Sequence, residues 1–258
     1  MEQKQKMAEK IAEIKSRFEA VSMDERQILL KKYEKDTRQG VQKLIEKYRK
    51  EQIALEAEYA RIEAMKEFEY KYKEYKYICG IDEVGRGPLA GPVVAGAVIL
   101  PKDETILYLN DSKQLSEKKR EQLYDVIMNK AVAVGLGVVS PGEIDRVNIL
   151  QATYEAMRIA IGKLDVKPDL LLNDAVTIPG VDIKQVGIIK GDTRSISIAA
   201  ASIVAKVTRD RMMIEYDKIY PEYKFAKNKG YGAKAHIEAL KEIGSSPIHR
   251  TSFLKNIL

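Results

Sequence analysis

Residues 79–100, CGIDEVGRGPLAGPVVAGAVIL, constrain the fold of this chain more than any other segment. Two adjacent carboxylates, Asp82 and Glu83, end one apolar run, and a turn rich in Gly and Pro leads into a second apolar run at 93–100. Apolar runs bounded by Gly and Pro predict two buried strands. Because acids and an arginine are costly to hold between buried strands without a partner, the segment predicts a binding or catalytic site.

The length and composition fit one sizeable domain with an appendage, or two small domains. The chain has 258 residues, of which 45% are hydrophobic, and 44 Lys and Arg stand against 38 Asp and Glu, a formal charge of +6. This balance suits an anionic partner such as nucleic acid, and it equally suits an ordinary basic protein. Charge alone does not decide between the two.

Cysteine and histidine are too scarce for several kinds of chemistry. A single cysteine, Cys79, allows no intramolecular disulfide and favours a reducing cytosol. With only His236 and His249 beside it, we expect neither a structural zinc site nor histidine-based acid–base catalysis. If the protein is an enzyme, we expect its catalytic groups to be carboxylates that act with a hard, oxygen-binding cation.

Nothing in the sequence predicts a membrane segment or a leader. The charged N-terminus lacks the apolar region of a signal peptide, and the run 93–100 is far shorter than the roughly 20 apolar residues of a membrane helix. We therefore expect a cytoplasmic protein.

The chain divides by composition into a helical extension, 1–74, and a second domain, 75–258. Residues 1–77 contain one glycine and no proline, and Ile11, Ile14 and Phe18 recur at helical spacing. Ser22 with Glu25 forms a capping box that predicts a second helix, which Gly40 is expected to end before a long third helix. The extension either grips the substrate or a protein partner, or packs on itself or on the main domain. Its nearly balanced charges favour a structural or partner role.

Beyond residue 76 the pattern predicts an α/β fold. Five apolar segments alternate with helical patterns and read as strands, at 77–83, 93–100, 131–139, 170–173 and 186–190. A long helix follows at 193–216, with small residues along one side that let it lie close to a sheet. This order predicts a mixed central sheet with helices on both faces.

Acidic residues follow three of these predicted strands. They are Asp82 with Glu83, Asp174 and Asp192. Active sites of open α/β sheets gather at such strand ends. Two like charges about 4 Å apart repel by roughly 4 kcal/mol at an effective dielectric near 20, and a divalent cation reverses the sign of that interaction. The set therefore predicts a Mg²⁺ or Mn²⁺ site.

Each acid also has a structural interpretation. Asp192 could cap the long helix, and Asp174 could begin a loop by accepting from the backbone. Asp82 and Glu83 are consecutive, so in a regular strand their side chains point to opposite faces. A strand end twisted by the following glycines would relieve that conflict.

The surrounding residues favour phosphoryl transfer. Carboxylate-bound cations stabilise the attacking and leaving oxygens of such reactions. Glycines let backbone N–H groups approach a phosphate or sugar, and Arg86 can pair with a phosphate oxygen. From these residues alone we predict a metal-dependent phosphoesterase.

Six motifs occur in order over about residues 76–250. They are GIDEVGRGPLAGPVV at 80–94, DSKQL at 111–115, Asp174, Gly-Asp at 191–192, AAASIVAKVTRD at 199–210 and KGYG at 229–232. In this combination the chain resembles ribonuclease HII, the bacterial type 2 ribonuclease H. The sister ribonuclease HIII has a sheet-containing N-terminal extension, so the all-helical extension here and Asp192 favour ribonuclease HII.

The resemblance implies a ribonuclease H-like fold and an Mn²⁺- or Mg²⁺-dependent endonuclease. Such an enzyme cleaves RNA in RNA–DNA hybrids and incises at ribonucleotides in duplex DNA, leaving 5′-phosphate and 3′-OH ends, which suits ribonucleotide excision repair. The resemblance says nothing about the role of the extension. We expect a monomer.

The resemblance also assigns site residues. Asp82, Glu83, Asp174 and Asp192 become the catalytic, metal-binding acids. Substrate contacts fall to Gly85, Arg86 and Gly87, which test the ribose 2′-OH and adjoining phosphates, to Tyr231 at the RNA–DNA junction, and to Lys113 near the backbone.

Two of these assignments have competitors. Asp210 competes for the fourth acid position, although its place inside the long helix between two arginines favours an ion-paired structural role. Tyr231 could be a core aromatic, although flanking glycines favour an exposed loop. For the activity, a DNA recombinase or resolvase of the same fold and a non-catalytic hybrid-binding protein are the alternatives.

Overall fold

The computed structural model describes residues 9–255 and 257. The first eight residues of the predicted extension, together with Asn256 and Leu258, lie outside the described residues. The chain forms two compact units, of which the first ends at Arg61 and the second begins at Ile62.

The first unit is helical and has its own hydrophobic core. Its helices are α1 (Ile11–Ala20), α2 (Met23–Tyr33) and most of α3 (Gln39–Ala64). Phe18 stacks on Tyr48 with ring centroids 4.6 Å apart, and Ile14 and Val41 are fully buried beside them. These helices therefore pack on one another, one of the two structural roles expected for the extension.

Ser22 begins α2 as the sequence predicts, but Gly40 does not end it. The Ser22 hydroxyl accepts from the Glu25 backbone N–H, and the Glu25 carboxylate accepts from the Ser22 N–H at 2.9 Å. Helix α2 ends at Tyr33, and Gly40 lies in the first turn of α3, so that prediction is wrong. A side chain on Gly40 would meet Ile11, and this close packing explains the glycine.

The second unit contains a five-stranded mixed sheet. Its strands are β1 (Ile78–Val84), β2 (Val93–Ile99), β3 (Ala133–Val139), β4 (Leu170–Asp174) and β5 (Lys184–Ile188). The strand order is β3-β2-β1-β4-β5. β1, β2 and β3 pair antiparallel, whereas β4 pairs parallel with both β1 and β5. The predicted fold class is confirmed, and each predicted strand is present within a few residues.

Among the remaining α-helices of the described residues, α8 is long and the others are shorter. They are α4 (Glu67–Lys71), α5 (Glu117–Lys130), α6 (Pro141–Val147), α7 (Ile149–Gly162), α8 (Ile196–Ile219), α9 (Phe225–Asn228), α10 (Lys234–Ile243) and α11 (Thr251–Leu254). No helix within the described part of the chain is both long and apolar enough to cross a membrane.

Helices cover both faces of the sheet. Helix α8 packs on β1 and β2 with α5 behind it, and α7 packs on the opposite face against β2 and β3. A Cβ at Gly80 would lie 2.0 Å from the Ser197 carbonyl carbon, so only glycine lets α8 approach β1 this closely. The small residues predicted along α8 serve this contact.

Candidate active site

The predicted acids gather at one edge of the sheet. Because β1, β4 and β5 run parallel, their carboxyl ends lie at the same edge. Asp82 and Glu83 precede the last residue of β1, and Asp174 ends β4. Asp192 lies in a short 3₁₀ turn, Gly191–Thr193, that follows β5.

A cavity of about 850 Å³ opens at this edge. Eight of the nine predicted site residues line it, namely Asp82, Glu83, Gly85, Arg86, Gly87, Lys113, Asp174 and Tyr231. Asp192 is not among the lining residues, although the charge of Asp174 acts on it.

Asp82 and Glu83 reach the cavity from opposite faces of β1. The strand continues to Val84, with Asp82 opposite Gly96 and Glu83 opposite Ala95, so the predicted twisted strand end is not needed. The Asp82 side chain interacts with Ser202 on α8, and the alternation of the strand puts Glu83 on the other side. Pairing with β4 stops at Ile81, so the cavity extends around both faces of this last part of β1.

Buried like charges raise the pKa values of these carboxyls. Burial raises the pKa of Asp82 well above its usual value, and the charges of Glu83 and Asp174 raise it further. Burial also raises the pKa of Glu83, opposed by the guanidinium of Arg86, 3.3 Å away, and reinforced by Asp174. The three acids therefore repel one another across a common region.

Asp174 and Asp192 differ in their structural roles. The Asp174 carboxylate accepts from the Gly191 N–H at 2.8 Å, a backbone group 17 positions further along the chain, so this bond joins the end of β4 to the turn that carries Asp192 and is not the local bond of a loop-starting aspartate. Asp192 does not cap the long helix, because Ser195 holds the N-cap position of α8 and accepts from the Ile198 N–H. Burial, together with the charges of Asp111 and Asp174, raises the pKa of Asp192 to about 6.

The glycine turn after β1, Gly85–Gly87, lies against the tyrosine loop, residues 229–233 between α9 and α10, which carries Tyr231. Gly85 has a φ of +92°, a conformation that favours glycine. A Cβ at Gly87 would lie 3.7 Å from the Tyr231 ring and meet nothing nearer. Tyr231 is 44% exposed, so the core-aromatic alternative is wrong and the exposed-loop prediction is confirmed. The turn and the Tyr231 ring form one wall of the cavity.

Lys113 lines the cavity from the short turn before α5, and the charges of the acids act on it. Burial lowers its pKa, but the charges of Asp111, Asp82 and Asp192 outweigh burial and the pKa is raised overall. Its own N–H donates to Asp111, which begins the short turn Ser112–Gln114. Lys113 is thus an ammonium group facing the acidic edge of the cavity.

Asp210 is ion-paired within the helical layer, as its sequence position predicts. Its carboxylate accepts from Lys206 at 2.7 Å and lies 3.9 Å from Arg120. The flanking arginines are not its partners, since Arg211 pairs with Glu121 and Arg209 is buried among carbonyl oxygens. Asp210 does not line the cavity, whereas both of its partners do.

Sequence reasoning missed several lining residues. They are Val84, Ser112, Arg120, Ile149, Ser202, Lys206 and Phe253. Ser202 and Lys206 lie within the motif 199–210, four residues apart on one face of α8, and that spacing was the available signal. No local pattern marks Phe253 or Arg120, which reach the cavity from α11 and α5.

The acids have the right chemistry for a divalent cation. Within the ranges that the structure describes, no three His, Cys, Asp or Glu side chains are grouped around a single ion position. Their donors are nonetheless all carboxylate oxygens, buried and mutually repelling, which is the ligand type that Mg²⁺ and Mn²⁺ prefer. The residues present therefore fit such an ion.

Comparison with known proteins places the chain in a family. The family model described as ribonuclease HII matches residues 79–256, and the model of the ribonuclease HII N-terminal domain matches residues 10–73. The chain belongs to the ribonuclease HII family. The ribonuclease HII of Lachnoclostridium phytofermentans is 64% identical over 248 residues, which cover 96% of this chain and 98% of that protein.

Solved structures agree with the fold. The ribonuclease H2 of Pyrococcus horikoshii OT3 is 28% identical, with a TM-score of 0.57, and the match covers 68% of this chain and 93% of that one. Bst-RNase HIII, solved in complex with Mn²⁺, shares the fold at 17% identity and a TM-score of 0.50, over 65% of this chain and 63% of that one. Membership of the ribonuclease HII family makes this protein a metal-dependent endoribonuclease that acts on RNA–DNA hybrids.

Proposed function

We propose that this member of the ribonuclease HII family incises duplex DNA at embedded ribonucleotides and cleaves the RNA strand of hybrids, leaving 5′-phosphate and 3′-OH ends. The observation that carries the proposal is one cavity in which carboxylates face a glycine turn and an exposed tyrosine. The acids supply hydrolytic chemistry, and the adjoining turn supplies a means of recognising a sugar.

Asp82, Glu83, Asp174 and Asp192 are the proposed ligands of Mg²⁺ or Mn²⁺. When bound, the cation supplies charge that stabilises the attacking and leaving oxygens of phosphodiester hydrolysis. Raised pKa values of Asp82, Glu83 and Asp192 mean that deprotonation and cation binding support each other.

Substrate recognition is assigned to the wall formed by the glycine turn and the Tyr231 ring. The Gly85–Arg86–Gly87 turn presents backbone groups to a sugar, and a 2′-OH is the group that distinguishes RNA from DNA at one position. The exposed Tyr231 ring, beside Gly87, offers a flat apolar surface for the neighbouring sugar or base. Arg86 and Lys113 supply positive charge for phosphate oxygens.

The experiment compares three labelled duplexes of one sequence: all DNA, DNA with one ribonucleotide, and DNA with an RNA tract. We expect metal-dependent incision of the two RNA-containing duplexes and ends that carry 5′-phosphate and 3′-OH. Cleavage of the all-DNA duplex would instead support a recombinase or resolvase, and binding without cleavage would support a hybrid-binding protein. No cut at the single ribonucleotide would remove the incision proposal.

The helical first unit is proposed to be accessory, contacting the substrate or a protein partner. It has its own core of Ile14, Phe18, Val41 and Tyr48, and all nine predicted site residues belong to the second unit. A chain that begins at Ile62 should therefore keep some incision activity. Complete loss of activity in a folded truncated protein would assign the first unit a direct part in catalysis. Action in the cytoplasm as a monomer remains a prediction.

A further inference from the structure

Two buried arginines lie behind the cavity wall formed by the turn and Tyr231. Arg209, on α8, and Arg250, just before α11, are both fully buried. Their guanidinium groups donate to backbone carbonyl oxygens of the segment 85–92 and of the loop that carries Tyr231. Buried arginines more often pair with carboxylates, so these two need an explanation.

Arg250 holds the carbonyl groups of the turn itself. Its Nη2 donates to the Gly85 oxygen at 2.5 Å and to the Gly91 oxygen at 2.8 Å. Its Nη1 donates to the Arg86 oxygen at 2.9 Å, and its Nε donates to the Gly91 oxygen at 3.0 Å. One rigid, planar group therefore fixes three carbonyls that lie within seven residues of each other.

Arg209 joins the turn to the tyrosine loop. Its Nε donates to the Pro92 oxygen, its Nη2 to the Ala90 oxygen, and its Nη1 to the Lys229 oxygen at 2.9 Å. Backbone bonds continue the connection, since the Leu89 N–H donates to the Gly230 oxygen and the Arg250 N–H to the Leu89 oxygen. The turn, the tyrosine loop and the C-terminal segment are thus one bonded layer.

This arrangement is expensive for stability alone. Burial, with the nearby charge of Arg209, lowers the pKa of Arg250 to about 9, which reports how poorly the charge is solvated. Well-packed apolar groups commonly stabilise a core as well as buried charges do. What an apolar side chain cannot supply is a fixed direction for three carbonyls in a glycine-rich segment, whose backbone is otherwise costly to order.

We propose that Arg250 is a positioning residue for ribose selection, because it fixes the orientation of the Gly85–Arg86–Gly87 backbone that faces the sugar. Each peptide unit is planar, so holding the Gly85 and Arg86 oxygens also sets the directions of the Arg86 and Gly87 N–H groups. Without the guanidinium the turn keeps its sequence and loses its orientation. This inference rests on the proposed function of the turn.

The test measures selectivity as well as activity. Arg250→Lys and Arg250→Met are compared with Leu254→Ala, which opens a cavity in the same C-terminal segment without removing any hydrogen bond of the guanidinium. For each protein, dissociation constants are measured with Ca²⁺ in place of the active cation, on the all-DNA duplex and on the duplex with one ribonucleotide. Thermal unfolding shows how much stability each variant has lost.

The selectivity is the dissociation constant for the all-DNA duplex divided by that for the duplex with one ribonucleotide. We expect this ratio to fall at least tenfold in Arg250→Met. It should fall by less in Arg250→Lys, whose single ammonium group reaches fewer carbonyls. Leu254→Ala should keep the wild-type ratio despite its lower stability. Equal ratios in wild type and in either folded Arg250 variant would overturn the inference. A wild-type protein that itself shows no preference for the ribonucleotide would instead count against the proposed function.

Hydrogen exchange provides a second readout that does not depend on substrate. In Arg250→Lys, the amide protons of Leu89 and Gly91, which donate to the Gly230 and Ile248 oxygens, should exchange faster than in wild type, while those of β2 stay protected. If Arg250→Met fails to fold, this comparison and the Arg250→Lys binding ratio still decide the question. Unchanged protection of the Leu89 and Gly91 amides in Arg250→Lys would refute the positioning role.

Discussion

Substitution by alanine should have different effects at the two glycines of the turn: it should lower stability at Gly85, and it should lower activity without lowering stability at Gly87. Gly85→Ala places a side chain at a φ of +92°, and its Cβ would lie 2.7 Å from the Pro92 oxygen and 2.3 Å from Arg209 Nε. The strained backbone costs about 1–3 kcal/mol, and the overpacking costs a similar amount. We therefore expect Gly85→Ala to lower the free energy of unfolding by about 3 kcal/mol.

Gly87→Ala should leave the fold nearly unchanged. Its Cβ meets only Tyr231 Cε1, at an ordinary contact distance of 3.7 Å, and the backbone there is not in the left-handed region. A change in the free energy of unfolding within about 1 kcal/mol is expected. The new methyl group would, however, occupy the space between the turn and the Tyr231 ring, where the sugar is proposed to lie.

The activity of Gly87→Ala therefore tests where the substrate binds. Loss of one hydrogen bond from a desolvated site costs about 1–3 kcal/mol, which corresponds to a fall in kcat/KM of roughly 5- to 150-fold. The assay is incision of the duplex with one ribonucleotide, beside thermal unfolding of both variants. In this chain Gly85→Ala should melt about 6–12 °C lower, at roughly 2–4 °C for each kcal/mol.

Two results would refute the reasoning. If Gly87→Ala is as stable and as active as wild type, the sugar does not lie against this turn. If Gly85→Ala is as stable as wild type, the strain assigned to the turn is wrong. Loss of stability in Gly87→Ala would show that the open space beside Tyr231 is not available in solution.

Three further predictions concern the acids. Asp174→Asn should lower incision by at least about 10³-fold while duplex binding changes less than about threefold, because only the proposed ion site is altered; retained turnover would remove Asp174 from that site. Mg²⁺ should raise the melting temperature of wild type, since binding to the folded state stabilises it, and Asp82→Asn should abolish this rise; an equal rise in both proteins would place the ion elsewhere. In EDTA at pH 7, Asp192→Asn should have a free energy of unfolding about 1 kcal/mol higher than wild type. The raised pKa of Asp192 alone corresponds to roughly 3 kcal/mol, and solvent screening reduces this figure because the side chain is partly exposed. The pKa of Asp192 is raised from 3.8 to about 6, so its contribution to stability is fully present below pH 3.8 and is lost as the pH rises through 6; equal stability at pH 4 and a difference at pH 7 are the expected chemical-denaturation results.

Local patterns were sufficient for the elements that carry the site. The five strands were predicted from short apolar runs bounded by Gly, Pro and polar residues, a pattern between neighbours in the sequence. All five strands are present. The Ser22 capping box also succeeded, because both of its hydrogen bonds lie within three residues. Gly40 was misassigned because a glycine can mark either a helix end or a close contact, and here Ile11, distant in sequence, decides which.

The carboxylates at the strand ends and the succession of strands and helices along the chain followed from the sequence alone, because a strand end and the carboxylate after it are adjacent in the chain. The order of the strands within the sheet, β3-β2-β1-β4-β5, was decided only by the tertiary structure. Tertiary structure alone decided the supporting contacts. Arg250 holds the Gly85 carbonyl across 165 positions, and Asp210 takes Arg120 and Lys206 as partners instead of the arginines beside it. Such bonds exist only after distant segments have packed, since only packing removes the water that would otherwise satisfy a guanidinium or a carbonyl.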